Sequence, residues 1–238
     1  MRNKTPDLKK LDVVYVVKDS AFNDELRYSL RSVEQNLPHN RVIFYGGKPV
    51  GSHPDIAILV KQIGKHKYQK VANMLFSIAE DDSITEDFIL MNDDFFVLNK
   101  IDKLPYYYSD DLEKLSGRIS AAHGGPSAYT RRIDATRKWL KESKYATRNY
   151  ELHVPIIFNR EKLRRIFDIN TEHKYATRSL YCNVDKVMGK KSQDMKIFDL
   201  DKLPRFSDTF VSTTDLSFAE GQVGKFIRAL FKDKSRYE

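Results

Sequence analysis

The stretch Asp87-Phe88-Ile89-Leu90-Met91-Asn92-Asp93-Asp94-Phe95-Phe96-Val97 constrains the fold of this chain more than any other. Phe88 to Met91 are large and apolar without alternation, the pattern of a strand buried on both faces. Asn92, Asp93 and Asp94 then stand at the strand's carboxyl end, where open α/β sheets place their ligands. Two adjacent carboxylates repel each other and lose hydration unless a cation or hydrogen-bond donors neutralise them. A divalent ion carrying a phosphorylated substrate meets that need, since Mg²⁺ is commonly held by one or two carboxylates plus phosphate oxygens. The plainer reading is a solvated turn of good turn formers. The immediate return to Phe95-Phe96-Val97 argues against a free turn.

Upstream, Leu11 to Val17 is rich in β-branched residues and predicts a first, central strand that ends in Lys18-Asp19-Ser20. Asn23 is placed to cap a helix running to about Asn36, with Leu26, Leu30 and Val33 as its apolar stripe. Arg41 to Tyr45 and Ile56 to Val60 predict two further strands. A helix after Lys65-His66-Lys67-Tyr68-Gln69-Lys70 buries Val71, Leu75, Ile78 and Ala79. The order β-α-β-β-α-β is that of an α/β nucleotide-binding unit. A soft boundary falls near residue 100, dividing one domain into residues 1–100 and residues 101–238.

Beyond the boundary the pattern weakens. Leu104 to Ser109 reads as a loop, Gly117 to Ala122 as a strand and Ile133 to Tyr145 as a helix. His153 to Phe158 reads as an edge or broken strand, because Pro155 lacks a donor. Glu161 to Phe167 and Asn183 to Gly189 are expected to be helical, Thr209 to Thr214 a strand, and Gly224 to Phe231 a basic helix.

Composition sets the remaining bounds. At 238 residues, with 41% hydrophobic and 31% charged side chains, the chain can bury a core without staples. The single Cys182 excludes an internal disulfide framework and is read as a small core residue in a reducing compartment. No apolar run reaches the length of a membrane span, and the polar amino terminus predicts a cytoplasmic protein. The 41 basic and 33 acidic residues give a net charge of +8, which favours polyanionic partners.

Asn23-Asp24-Glu25-Leu26-Arg27-Tyr28-Ser29-Leu30-Arg31-Ser32-Val33-Glu34 resembles the second conserved block of the Stealth family of sugar-1-phosphate transferases. Asp12 to Tyr15 is similar to that family's opening block, Phe88 to Phe96 to its aspartate-bearing strand, and His153-Val154-Pro155 to its His-x-Pro segment. The opening block departs from the family in continuing with Val16-Val17-Lys18-Asp19. Gly224 to Phe231 resembles the closing segment of small, often virus-encoded glycosyltransferases that share these blocks. The resemblance implies a GT-A-like (Rossmann-like) α/β fold: a mixed sheet flanked by helices, with a smaller irregular carboxy-terminal acceptor lobe.

It also implies a metal-dependent glycosyltransferase that takes a sugar from a nucleotide-sugar of the UDP type, with Mn²⁺ or Mg²⁺ as cofactor. Asp93, Asp94 and His153 are the expected metal ligands. Asp94, His153 and Asp215 are the expected catalytic groups. Val17 and Asp19 would seat base and ribose, Arg27 the phosphates, and Lys70 and Asn73 the sugar and phosphates, with Lys225 on phosphate. Each has a structural alternative: a loop carboxylate for Asp19, a solvated arginine for Arg27, a satisfied histidine for His153, and a basic amphipathic helix for Lys225. Sugar-phosphate transfer is the alternative reaction. The sequence does not identify the acceptor; a glycan and a modified base in DNA, which would have to be flipped out, are the candidates. A non-catalytic nucleic-acid-binding protein is the reading from a different class, supported by the charge and 13 tyrosines.

Overall fold

Asp12–Val17 (β1) is the middle strand of a five-stranded sheet, and the elements of the chain assemble on either side of it. The computed structural model describes residues 6–238. After β1 come the helix Asp24–Asn36 (α1), the strands Val42–Gly46 (β2) and Ile56–Leu59 (β3), the helix Lys67–Glu80 (α2) and the strand Asp87–Met91 (β4). Phe95–Val97 (β5) and Tyr107–Tyr108 (β6) follow, then the helices Leu112–Ala122 (α3) and Ala128–Glu142 (α4). Ile156–Asn159 (β7), Arg160–Ile169 (α5) and Thr177–Val184 (α6) lead into the short strands Lys190–Lys191 (β8) and Lys196–Ile197 (β9). Phe210–Thr213 (β10), Asp215–Ala219 (α7) and Gln222–Leu230 (α8) complete the order.

The sheet runs β3-β2-β1-β4-β7, parallel except for β7, which is antiparallel to β4 at the edge. The expected α/β class, a mixed sheet flanked by helices, is therefore the one adopted. β4 explains why its sequence does not alternate. Phe88 and Leu90 pack into a core shared with α2, α5 and α6, and Ile89 and Met91 pack into the opposite core with α1. Both faces are dry, so both must be apolar. Because β7 pairs with β4, the sheet crosses the soft boundary at residue 100. A smaller sheet, β5-β10-β9, packs with α7 and α8 around Phe96, Val211, Phe218, Val223 and Ile227.

Three helices depart from the sequence reading. Residues 117–122 belong to α3, because Asp111 caps the helix and Leu112, Leu115 and Ile119 keep a helical stripe inward. Asn183 to Gly189 is not a helix of its own: α6 starts earlier and ends at Val184, and the chain turns through Lys186 at φ 51°. α4 also starts at Ala128 rather than Ile133, behind a capping box of Ser127 and Thr130. At the end of β2, Gly46 has φ 116°, and a Cβ there would stand 2.4 Å from the Val17 carbonyl oxygen.

Candidate active site at the carboxyl edge of the sheet

Strand order reverses at β1: β2 and β3 extend to one side, and β4 and β7 to the other. The carboxyl ends of β1 and β4 therefore flank a topological switch point, the crevice in which such sheets bind ligands. β1 delivers Val17, Lys18 and Asp19 there, and β4 delivers Asn92, Asp93 and Asp94. The Val17 carbonyl accepts from the Gly47 amide at 2.9 Å and from Gln62 Nε2 at 2.8 Å, and Asp19 is exposed.

Asp93, Asp94 and Glu25 each find a partner outside their own element. Asn23, the cap of α1, accepts from the Leu26 amide with Oδ1 and donates Nδ2 to Asp93 at 2.7 Å. Burial, and then the charge of Asp94, push the Asp93 carboxyl up against the opposing pull of Asn23 and Lys67. Asp94 accepts from Lys196 Nζ at 2.7 Å and from Ser212 Oγ at 3.1 Å. Glu25, in the first turn of α1, accepts from Thr213 Oγ1 at 2.6 Å. Burial, and then the charges of Asp94, Asp93 and Asp215, push its carboxyl up to about 7.

On the β7 side, His153 Nδ1 lies 2.8 Å from Asp194, whose carboxylate also accepts the His153 amide. Burial alone would raise Asp194, but the histidine and backbone donors outweigh it and hold the carboxyl below its usual range. The His153 ring meets Phe95 edge-on at 6.4 Å. Arg178, from α6, lies over the same Phe95 ring and donates to the carbonyls of Leu152 and Val154 at 2.9 and 2.7 Å. Asp94, Asp194 and Glu151 all act on that guanidinium, which burial pulls down.

These contacts bear on how the expected metal ligands stand in the fold. Asp93 is held by Asn23, Asp94 by Lys196 and His153 through Nδ1 by Asp194, so each expected ligand has a partner within the chain, while among the described residues the Nε2 of His153 stays open. Among the described residues, no group of three or more histidine, cysteine, aspartate or glutamate side chains is placed to hold a metal ion. The donor set of this conformation does not fit the Mn²⁺ or Mg²⁺ site that the sequence predicts.

The other expected residues divide. Asp215 begins α7 and reaches the acids through its charge on Glu25. Lys70 sits half-buried in the first turns of α2, and its neighbour Lys67 acts on Asp93. Asn73 donates to Ile63 and accepts from His173 Nε2 at 2.7 Å, so its amide is committed to packing α2 against its surroundings. Arg27 turns away from the acids: it lies 3.4 Å from Asp24 and 3.7 Å from Glu238, beside a hollow with Phe22, Val50 and Tyr237. Lys225 is exposed on α8, and no hydrogen bond or ion pair among the described residues joins it to the acids.

Glu25, Arg178, Asp194, Lys196 and Ser212 belong to the site and were not singled out by the sequence reading. Asp194 and Lys196 carried one usable signal. Two charges at i and i+2 in an extended segment point to the same side, and here they take Asp94 and His153 one each.

No family model matches this chain, and no curated protein matches it. Among solved structures, it is similar to the galactosyltransferase LgtC in complex with donor and acceptor sugar analogues, at 14% identity and a TM-score of 0.43, over 73% of this chain and 70% of that one. It is also similar to the glycosyltransferase GlyE of Streptococcus pneumoniae TIGR4. The apo form gives 12% identity and a TM-score of 0.42, and a second GlyE structure 11% and 0.37, each over 94% of this chain. The chain spans 61% and 50% of those two GlyE chains. Among the described residues no helix is long and apolar enough to cross a membrane.

Proposed function

We propose that this protein transfers a glycosyl group from a nucleotide-sugar of the UDP type to an acceptor hydroxyl on a glycan or a modified nucleobase. One observation carries the reading: acids, cations and a histidine–aspartate pair converge on the β1/β4 switch point, from elements far apart in sequence. Nucleotide-sugar chemistry needs a seat for base and ribose, positive charge beside a diphosphate, and a base beside the acceptor.

The base and ribose would lie over the end of β1, with the exposed Asp19 accepting from ribose hydroxyls. Lys67 and Lys70, at the start of α2, would face the diphosphate. In the reaction the bond between the anomeric carbon and the phosphate oxygen breaks. The nucleoside diphosphate leaves with the electron pair, and the acceptor oxygen bonds to the anomeric carbon. The acceptor proton passes to Nε2 of His153. Asp194 fixes the tautomer by holding Nδ1–H, so that in the neutral ring Nε2 carries the lone pair. Arg178 and the acids of β4 would orient the acceptor and screen the charge that develops as the diphosphate departs.

A thermal-shift screen of nucleotide-sugars and free nucleotides tests the proposal, since a ligand of the native state raises its melting temperature. A UDP-sugar is expected to stabilise the protein, and turnover to release UDP. Release of UMP would instead assign sugar-phosphate transfer. Absence of any shift with nucleotides or nucleotide-sugars at millimolar concentration would sink the assignment.

A further inference from the structure

Asp94 already has a counter-ion built into the fold. Lys196 and Ser212 are register partners across β9 and β10, so both side chains leave the sheet on one side at one level. Both end on the same oxygen, Asp94 Oδ2, at 2.7 and 3.1 Å. The backbone repeats the alignment, because the Asp94 carbonyl accepts the Thr213 amide at 3.2 Å. The pair is enclosed: the Lys196 side chain is 16% exposed and that of Asp94 15%. A long, flexible lysine loses rotamer freedom when held this way, and an enclosed ammonium loses hydration. Here strand register fixes its place, and a hydroxyl supplies a second donor to the same carboxylate oxygen.

A divalent ion on Asp94 would meet an ammonium already bound to that carboxylate. Mg²⁺ requires a near-octahedral oxygen set at about 2.0–2.1 Å. Asp93 is engaged by Asn23, and His153 by Asp194, two residues before Lys196. The segment Asp194–Lys196 therefore orients His153 with its carboxylate and supplies a positive charge at Asp94.

We infer that Lys196 occupies the cation position of this site, so that the acid pair at the end of β4 carries its own ammonium counter-charge and binds a phosphorylated donor without a divalent metal ion. The ammonium stands beside the switch point, where a departing diphosphate would gather negative charge. It is thus a resident Lewis-acid substitute, acting as a charge and hydrogen-bond donor. The part of this inference that concerns the donor rests on the glycosyl-transfer proposal; the exclusion of a divalent ion from Asp94 stands without it.

The test is a MnCl₂ titration, followed by electron paramagnetic resonance of free Mn²⁺, on the wild-type protein, Asp94→Asn, Lys196→Met and Lys196→Gln. Circular dichroism checks the fold of each. Wild type is expected to bind no Mn²⁺ below millimolar concentration, and Lys196→Met at least tenfold more tightly than wild type. Lys196→Gln keeps a donor toward Asp94 while losing the charge, and serves if the methionine variant does not fold. Submillimolar Mn²⁺ binding by wild type that is lost in Asp94→Asn would overturn the inference, as would folded Lys196 variants that bind no better than wild type. UDP binding by calorimetry, with and without EDTA, separates the two ideas. Equal affinities support the inference, and binding that requires Mn²⁺ overturns it. Absence of UDP binding under both conditions counts against the transferase proposal, while the Mn²⁺ titration still decides the question of the cation.

Discussion

The two ends of the central sheet treat buried carboxylates in opposite ways. At the amino end, Asp12 is fully buried and accepts four bonds: two from Arg41, at 3.0 and 2.6 Å, one from Asn40 and one from the Thr85 amide. Burial would raise its carboxyl, but these donors more than reverse that and hold it below the usual range. At the carboxyl end, Glu25, Asp93 and Asp94 crowd one another, and the carboxyls of Glu25 and Asp93 are pushed up. One end satisfies its charge locally and completely. The other concentrates like charge that its own hydrogen bonds only partly relieve. Titratable groups displaced by burial plus like charge cluster at working sites, whereas a fully bonded acid is a structural part.

Breaking the satisfied end has the largest expected effect. Asp12→Ala leaves the Arg41 guanidinium and the Thr85 amide without their partner, and is expected to cost about 3–5 kcal/mol in urea unfolding. A loss under about 1 kcal/mol would show the two ends to be equivalent. The sign of pH dependence separates them next. Glu25 has a folded value near 7 against an ordinary 4.5, so the native state holds its proton more tightly than the unfolded chain. Stability should therefore fall as pH rises from about 4.5 to 7, by about 3 kcal/mol. Glu25→Gln should abolish that fall and leave the protein more stable than wild type at pH 8. For Asp12 the sign is opposite: its contribution is present above its ordinary value and disappears as pH drops through the lower folded value.

Asp93→Asn sharpens the comparison on a smaller scale. It removes a repulsive charge and keeps an acceptor for Asn23, so it should stabilise the fold by about 1 kcal/mol while lowering turnover. A destabilised variant would mean that Asp93 resembles Asp12 after all. The smallest effect belongs to Arg27→Ala, which removes only half-exposed ion pairs. It should change stability by under about 0.5 kcal/mol and leave UDP affinity unchanged. A tenfold weaker UDP complex would return Arg27 to the phosphate-binding role that the sequence suggests.

The fold was legible where local pattern and burial agree. β1, β4 and α1 are fixed by apolar runs and by a cap at Asn23, and these signals need no tertiary information. Gly117 to Ala122 carries no helix signal of its own, because the cap that starts the helix is Asp111, six residues upstream of Gly117. Of the site, the acids at the end of β4 were visible because a buried strand must end somewhere. Their partners were not. Lys196 lies 102 residues from Asp94, and Glu25 reads locally as an acid that suits a helix start. Only the register of β9 with β10 turns a surface-type lysine into an enclosed counter-ion.

Asn23 has a second consequence. One side chain fastens the first turn of α1 with its oxygen and Asp93 with its nitrogen. A ligand that draws Asp93 toward itself must tug on the same amide group, and so loosen or tighten the opening turn of the helix. Deuterium uptake at Leu26 is therefore a built-in gauge of occupancy. It can be read on the unlabelled protein before any acceptor is known.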